Sequence, residues 1–214
     1  HRIINDTIDR LQSAIAAPDA EIIVVDGDPG GSTVNAVTSS QVRRLIGPKG
    51  RGPQMNAGAA AAAGRILLFV HADTTLPDAA DRSIRDALDR PTVAGGAFEL
   101  GIDNPRRIYR WIETMVRIRS RLTKIPYGDQ AVFIRRAVFE KIGGFADLPI
   151  MEDIDLMQRV KHAGYRISLI PRRVQTSSRR WETDGPVFCT IRNTLLSGLY
   201  YAGVPADKLK RLYP

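Results

Sequence analysis

The sequence predicts an α/β protein, a mostly parallel twisted sheet flanked by helices, and three stretches predict it. Residues 66–70, Ile-Leu-Leu-Phe-Val, are consecutive apolar residues between Gly64 and the polar His71, the pattern of a strand covered on both faces by helices. Residues 21–26, Glu-Ile-Ile-Val-Val-Asp, repeat that pattern and end in an acid. Ahead of them Ile8, Leu11 and Ile15 recur at helical spacing. A helix feeding a strand implies a right-handed crossover from a further parallel strand, expected upstream of His1 and missing from this chain.

The strand ends indicate where chemistry is expected. In open α/β sheets ligands bind beyond the carboxyl ends of the strands, so Asp26 and Asp73, the latter with His71 two positions before it, are expected along one edge of the sheet. In the competing reading Asp73 caps a helix starting near residues 77–81, a job that Thr75 or Asp78 could do equally well. Between the two acids, residues 27–33 (Gly-Asp-Pro-Gly-Gly-Ser-Thr) form a turn-rich loop into a helix, with Ser32 or Thr33 as N-cap. Pro29 stands where the second glycine of a dinucleotide fingerprint belongs, and no Gly-Lys-Ser/Thr follows, so neither phosphate-loop motif is present.

Residues 47–58 lead into an alanine-rich helix, with Arg51, Gln54 and Asn56 at its N-terminus. Backbone N–H groups and the helix dipole favour an anion such as a diphosphate there. Residues 93–100 read as a strand whose glycines permit close approach. From 108 to 122, apolar residues at 108, 111, 112, 115, 118 and 122 oppose Arg110, Arg117 and Arg121. That helix presents either a solvated charged face or a face for an anionic membrane surface. Tyr127-Gly128-Asp129-Gln130 precede a strand at 131–134, a helix follows at 138–145, and Glu152 and Asp153 open another helix, where the dipole rewards acids. After a strand at 167–170, Arg179-Arg180-Trp181 read as a surface loop or as partners for a phosphate and a sugar face. A last helix spans about 186–201.

With 214 residues, 43% of them hydrophobic, and no linker-like run, the chain is expected to form one domain. No apolar run reaches the roughly 18 residues a membrane span needs, which predicts a soluble, cytoplasmic protein. The one cysteine, Cys189, excludes an internal disulfide and a cysteine-clustered zinc site and reads as a small buried residue. A net charge of +8 attracts polyanions. No zinc-finger, helix-turn-helix or RNA-binding aromatic pattern accompanies it, which argues against nucleic acid and leaves phosphorylated small molecules or an anionic membrane.

Taken together, Val24-Val25-Asp26-Gly27-Asp28, Arg51 to Gly58, Phe69-Val70-His71-Ala72-Asp73, Gly143-Gly144-Phe145 and Glu152-Asp153 resemble, in that order, the motifs of family 2 glycosyltransferases of the GT-A fold. The combination of Gln-Met-Asn-Ala-Gly, His-Ala-Asp-Thr, Tyr-Gly-Asp-Gln, Met-Glu-Asp and Arg-Arg-Trp-Glu is similar to the radical-SAM/selenodomain-associated transferase branch. The resemblance implies a nucleotide-sugar-binding part over about 1–100 and an acceptor-binding part over about 101–214. It implies donor contacts at Asp26, Asp28, Arg51, Gln54, Asn56, Ala72 and Asp73, and acceptor or diphosphate contacts at Gly128, Asp129, Gln130, Arg179, Arg180 and Trp181. His71 replaces the first acid of the family's Asp-x-Asp, so the implied Mg²⁺ or Mn²⁺ falls to Asp73, with His71 a second ligand or a neighbour.

The chemistry implied by the resemblance is inverting transfer of a sugar from a nucleoside diphosphate to an acceptor hydroxyl. A cation on Asp73 would neutralise the departing diphosphate, and Asp153, with Glu152 as rival, would take the acceptor's proton. Two other readings compete. A sugar-1-phosphate nucleotidyltransferase has a similar layout, but the Glu-Asp and Arg-Arg-Trp segments argue against it. A non-catalytic basic module for nucleic acid or lipid headgroups would leave the strand-end carboxylates without a purpose.

Overall fold

In the computed structural model, which describes residues 2–213, helices and strands alternate from the start of the chain. Helix α1 (Arg2–Ala14) leads into β1 (Ile22–Asp26), β2 (Val42–Ile46) and α2 (Arg51–Ala61). Next come β3 (Ile66–Phe69), the short β4 (Thr74–Thr75), α3 (Ala80–Leu88) and the long β5 (Val93–Asp103). Helix α4 (Arg107–Thr123), β6 (Val132–Arg135), α5 (Arg136–Lys141), α6 (Glu152–His162) and β7 (Arg166–Ser177) follow, then α7 (Arg179–Asp184), α8 (Pro186–Tyr201) and α9 (Ala206–Lys210).

The expected α/β layering is present, and its pairing is mixed. Strands β1 and β2 form a parallel pair of their own, and the other five follow the order β3-β6-β5-β7-β4. Strand β5 runs parallel to β7, whereas β6 is antiparallel to both of its neighbours and β4 is antiparallel to β7. An apolar run reports burial and says nothing of direction, so this was not legible in the sequence.

Helices cover both faces, and the strands serve them alternately, as period-2 side chains must. Leu67, Val132 and Ile134 pack on one side with Phe139 of α5 and Ile154, Met157 and Val160 of α6. Phe98, Phe133 and Ile170 pack on the other with Ala80, Ile84 and Leu88 of α3. The carboxyl half of β5 runs on into a third cluster, where Leu100 and Ile102 meet Tyr109 and Ile112 of α4, Trp181 of α7 and Cys189 of α8.

Several expectations are corrected. The 66–70 run yields a strand at the edge of the five-stranded sheet with only Leu67 buried, while β5 is the strand buried almost throughout. Strand β2, Val-Arg-Arg-Leu-Ile, escapes the apolar pattern because most of its side chains face solvent. The loop after Asp26 leads only into a single 3₁₀ turn, Val34–Ala36, without a side-chain cap from Thr33. Helix α3 starts behind Ala79 in the left-handed region and has no side-chain cap, so neither Asp73, Thr75 nor Asp78 caps it.

Glycines let β5 lie between its neighbours. A Cβ on Gly96 would stand 1.9 Å from the Ser168 carbonyl oxygen, and one on Gly95 would stand 2.4 Å from that of Phe133. In contrast, a Cβ on Gly198 in α8 would meet nothing within 4 Å. Gly96→Ala is therefore expected to cost roughly 2–3 kcal/mol by forcing β5 and β7 apart. Gly198→Ala should instead stabilise by up to about 1 kcal/mol through helix propensity. Urea unfolding of both variants checks the contrast; equal destabilisation would contradict it.

Candidate functional site

The site follows from strand register. Phe69 at the end of β3 lies opposite Val132 at the start of β6, so the loop leaving β3 meets the turn entering β6. Thr74 and Thr75 of β4 lie opposite Thr176 and Gln175 of β7, which brings the far end of the same loop to the Ser177–Arg179 segment. Residues 70–73 are thus held from both sides. The Ala72 carbonyl accepts the Thr7 hydroxyl at 2.6 Å, and the Asp73 carbonyl accepts the Ser177 N–H at 3.3 Å. Held by its backbone, the loop leaves its side chains available.

Asp73 presents its carboxylate to a cavity of about 670 Å³ shared with Thr7, Arg10, Thr33, Asp103 and Arg179. Among the described residues nothing hydrogen-bonds that carboxylate. His71 is not part of that cavity wall. Its Nε2 lies 3.1 Å from the point a Cβ on Gly128 would occupy, and Asp153 Oδ2 lies 3.4 Å from the same point. The Gly128 N–H donates to Asp153 Oδ2 at 2.5 Å. Only a glycine leaves this convergence open.

Asp129, next in the chain, is half-buried, yet its Oδ1 is shut off from solvent with no hydrogen-bond partner. Burial pushes its carboxyl above the usual range. Arg119 and His71 oppose that shift, and Asp153 adds to it. Two non-glycine residues in the left-handed region, Ala131 (φ 51°) and Met151 (φ 69°), directly follow Gly128–Gln130 and precede Glu152–Asp153. Backbone of this kind persists only where the surroundings impose it and clusters at functional sites.

The structure gives the two acids of residues 26–28 a building role. Asp26 is buried. Its Oδ1 accepts the Asp28 N–H at 2.9 Å, and its Oδ2 accepts those of Thr33 and Val34 at 2.6 and 3.2 Å. Burial pushes its carboxyl up, but these N–H groups outweigh burial and hold it below the usual range. Exposed Asp28 accepts the Gly30 and Ser32 N–H groups at 3.1 and 3.3 Å. An acid followed by a glycine- and proline-rich turn is the sequence signal for this role.

Helix α2 is likewise an anchor. Gln54 Nε2 donates to the Val25 carbonyl at 3.3 Å. Asn56 grips the backbone of Phe145 in both directions, donating to its carbonyl at 2.8 Å and accepting its N–H at 2.9 Å. Arg51 stands 3.5 Å from Glu152 Oε1 and joins α2 to the start of α6. Glu152 is only 2% exposed. Burial and then the Asp153 charge push its carboxyl up, against Arg51.

Two further candidates have side chains engaged within the fold. The side chain of Gln130 is fully engaged: Oε1 accepts from Ser120, Arg119 and the Tyr127 N–H, and Nε2 donates to the Phe98 carbonyl. Trp181 is buried beside Tyr109, Ile112 and Cys189 and is a core residue, because α7 turns it inward. Its neighbours divide: Arg179 lines the cavity, while Arg180 stacks on the Tyr213 ring at 4.4 Å. Arg10, which the sequence did not single out, joins the cavity wall.

No group of three or more His, Cys, Asp or Glu residues able to hold a metal occurs among the described residues. A closed protein cage is therefore ruled out among them. The available donor, Asp73, fits a cation that brings phosphate and water oxygens with it, as Mg²⁺ characteristically does.

The model of Glycosyl transferase family 2 matches residues 2–145, ending before Glu152. Among the solved structures that share the fold are two glycosyltransferase-fold proteins. One is the mannosyltransferase PcManGT from Pyrobaculum calidifontis, solved with GDP-Man and Mn²⁺, at 22% identity and TM-score 0.61 over 81% of this chain and 52% of that one. The other is S. aureus TarS, residues 1–349, at 17% identity and TM-score 0.59 over 83% of this chain and 57% of that one. The chain thus spans little more than half of either, and the likeness is that of the GT-A fold. No curated protein matches it.

The Asp129 environment has a consequence for stability. The folded protein keeps this carboxyl protonated to higher pH than the unfolded chain does. Above the ordinary carboxylate pKa the folded state therefore binds more protons, and stability falls as pH rises. Asp129→Asn removes that loss, so it should raise the melting temperature more at pH 7.5 than at pH 4.5. Equal shifts at the two pH values would contradict the assignment.

Proposed function

The chain belongs to glycosyl transferase family 2, and from that premise we propose that it transfers a sugar from a nucleoside-diphosphate donor to an acceptor hydroxyl, with inversion. One observation carries this reading. The single fixed loop 70–73 carries Asp73 in the cavity wall and His71 beside Gly128 and Asp153. A diphosphate and a base can thereby be held across one short span of chain. The GDP-Man and Mn²⁺ of the solved mannosyltransferase support a cation-assisted donor.

In this reading the diphosphate occupies the cavity, with Arg10 and Arg179 as its fixed cations. The loop that Asp26 folds supplies Thr33 to the same wall. A divalent cation held by Asp73 would neutralise charge on the diphosphate as it leaves. The acceptor oxygen attacks the anomeric carbon from the opposite face, and its proton passes to Asp153. The bond to the diphosphate breaks, and its electron pair leaves with the phosphate oxygen.

Asp153 suits the base better than Glu152 does. Its carboxylate is half-buried and positioned by the Gly128 N–H, with lone pairs to spare. Glu152 is enclosed and faces Arg51, an arrangement that fixes α6. In Asp153→Asn, turnover should fall roughly 10²- to 10⁴-fold with donor affinity nearly unchanged. Kinetics showing an active Asp153→Asn and a dead Glu152→Gln would move the role to Glu152.

Donor binding is tested separately. Calorimetry with UDP, GDP, TDP and CDP, with and without Mn²⁺, should find metal-dependent binding of one nucleotide. Asp73→Asn should abolish that binding, and His71→Ala should weaken it less. Unchanged Mn²⁺-nucleotide affinity in Asp73→Asn would refute the ligand assignment.

A further inference from the structure

Helix α4 turns outward the side that its periodicity suggests should be inward. Its buried residues are Tyr109, Ile112, Glu113 and Ser120. The stripe Trp111, Met115, Ile118 and Leu122, at helical spacing along one side, faces solvent, with Trp111 54% and Leu122 80% exposed. Helix α8 does the same. It packs against α4 through Cys189, yet Val187, Phe188, Ile191 and Leu195 are open to solvent, Phe188 and Ile191 each at 61%. Neighbouring helices that each leave an apolar stripe uncovered mark an interaction surface, beyond the scattered exposed apolar residues normal for a monomer.

The charges around these stripes select the partner. Every exposed charged side chain on α4 is a cation, Arg107, Arg110 and Arg121, and Arg106 and Lys124 flank the helix. Its one acid, Glu113, is buried and held by Arg110, Arg173 and the Ile102 N–H. The only charged residue of α8 is Arg192, which is half-buried on Asp184. Neither helix therefore exposes a carboxylate. Face-to-face pairing with a second copy would set arginines against arginines with no acid on either helix to meet them. An anionic bilayer meets both requirements at once, taking the apolar side chains at the acyl boundary and the arginines among its phosphates. Tryptophan and arginine are the side chains such an interface favours.

We infer that α4 and α8 form an interfacial docking face on which this protein lies against an anionic lipid bilayer. No helix of the described residues is long and apolar enough to cross a membrane, and the docking of this face on the bilayer surface is salt-sensitive. The test of this face needs no nucleotide sugar.

The experiment is vesicle co-sedimentation with the full chain, comparing phosphatidylcholine alone with phosphatidylcholine containing about one-third phosphatidylglycerol. Binding is expected to the mixed vesicles only, and to weaken at about 1 M salt. The emission of Trp111 should shift to the blue on binding, while Trp181, already buried, stays constant. Combining Ile118→Asp with Leu122→Asp should weaken binding at least about tenfold without changing the melting temperature, since both residues are exposed. Arg106→Glu with Arg107→Glu, neither in an ion pair among the described residues, should do the same while leaving the apolar stripe intact. Equal binding to both vesicles, no binding to either, or full binding by the aspartate pair would overturn the inference. So would a concentration-dependent dimer in sedimentation velocity that the aspartate pair abolishes, which would assign the face to a second copy.

Discussion

The close approach of three backbones around β5 is the constraint on which the molecule rests. Strand β5 can lie between β6 and β7 only because Gly95 and Gly96 carry no side chain, with carbonyls of Phe133 and Ser168 where a Cβ would go. That sandwiching fixes two registers at once, β5 parallel to β7 and antiparallel to β6. Strand β3 on one flank and β4 on the other then take their places, and the loop between them is drawn across the sheet end. His71 and Asp73 belong to that loop, so the placement of the site follows from backbone packing more than ten residues away in sequence.

Mixed pairing has a functional consequence. In a wholly parallel sheet the end of β3 would lie beside the ends of its neighbours. Because β6 runs the other way, the end of β3 lies beside the start of β6, which is where Gly128 and Asp129 stand. The long β7 delivers Ser177 and Arg179 to the opposite side of the loop. Asn56 closes the arrangement from α2. Its two hydrogen bonds to Phe145 tie together segments 89 residues apart and place α2 so that Arg51 meets the first turn of α6.

Burial sorts the acids. Asp26 and Glu152 are enclosed and already committed, one to the N–H groups of its own loop and the other to Arg51. Asp73 and Asp153 are the accessible ones, one free and the other positioned by the N–H groups of Gly128 and Ile154. The division matches the chemistry proposed, since an ion ligand and a proton acceptor both need a lone pair that the fold has not already claimed.

Much of this was legible in the sequence. Apolar runs ending in acids located β1 and β3 and placed Asp26 at the end of one and Asp73 beyond the end of the other, because burial of a strand under helices leaves so plain a pattern. Spaced glycines marked β5 and the turn at Gly143-Gly144, and the motif order pointed to the family. What the sequence could not carry is whatever depends on which neighbour a face meets. Periodicity showed that α4 is two-sided but not that Tyr109, Ile112 and Glu113 go inward while Trp111 and Leu122 stay out. Arg179-Arg180-Trp181 looked uniformly polar, yet a short helix turns Trp181 into the core and leaves Arg179 on the cavity wall. Strand direction, the outward face of a helix and the commitment of a carboxylate are relations between segments distant in the chain. Local residue pattern constrains each segment alone, and only the packed structure decides how they meet.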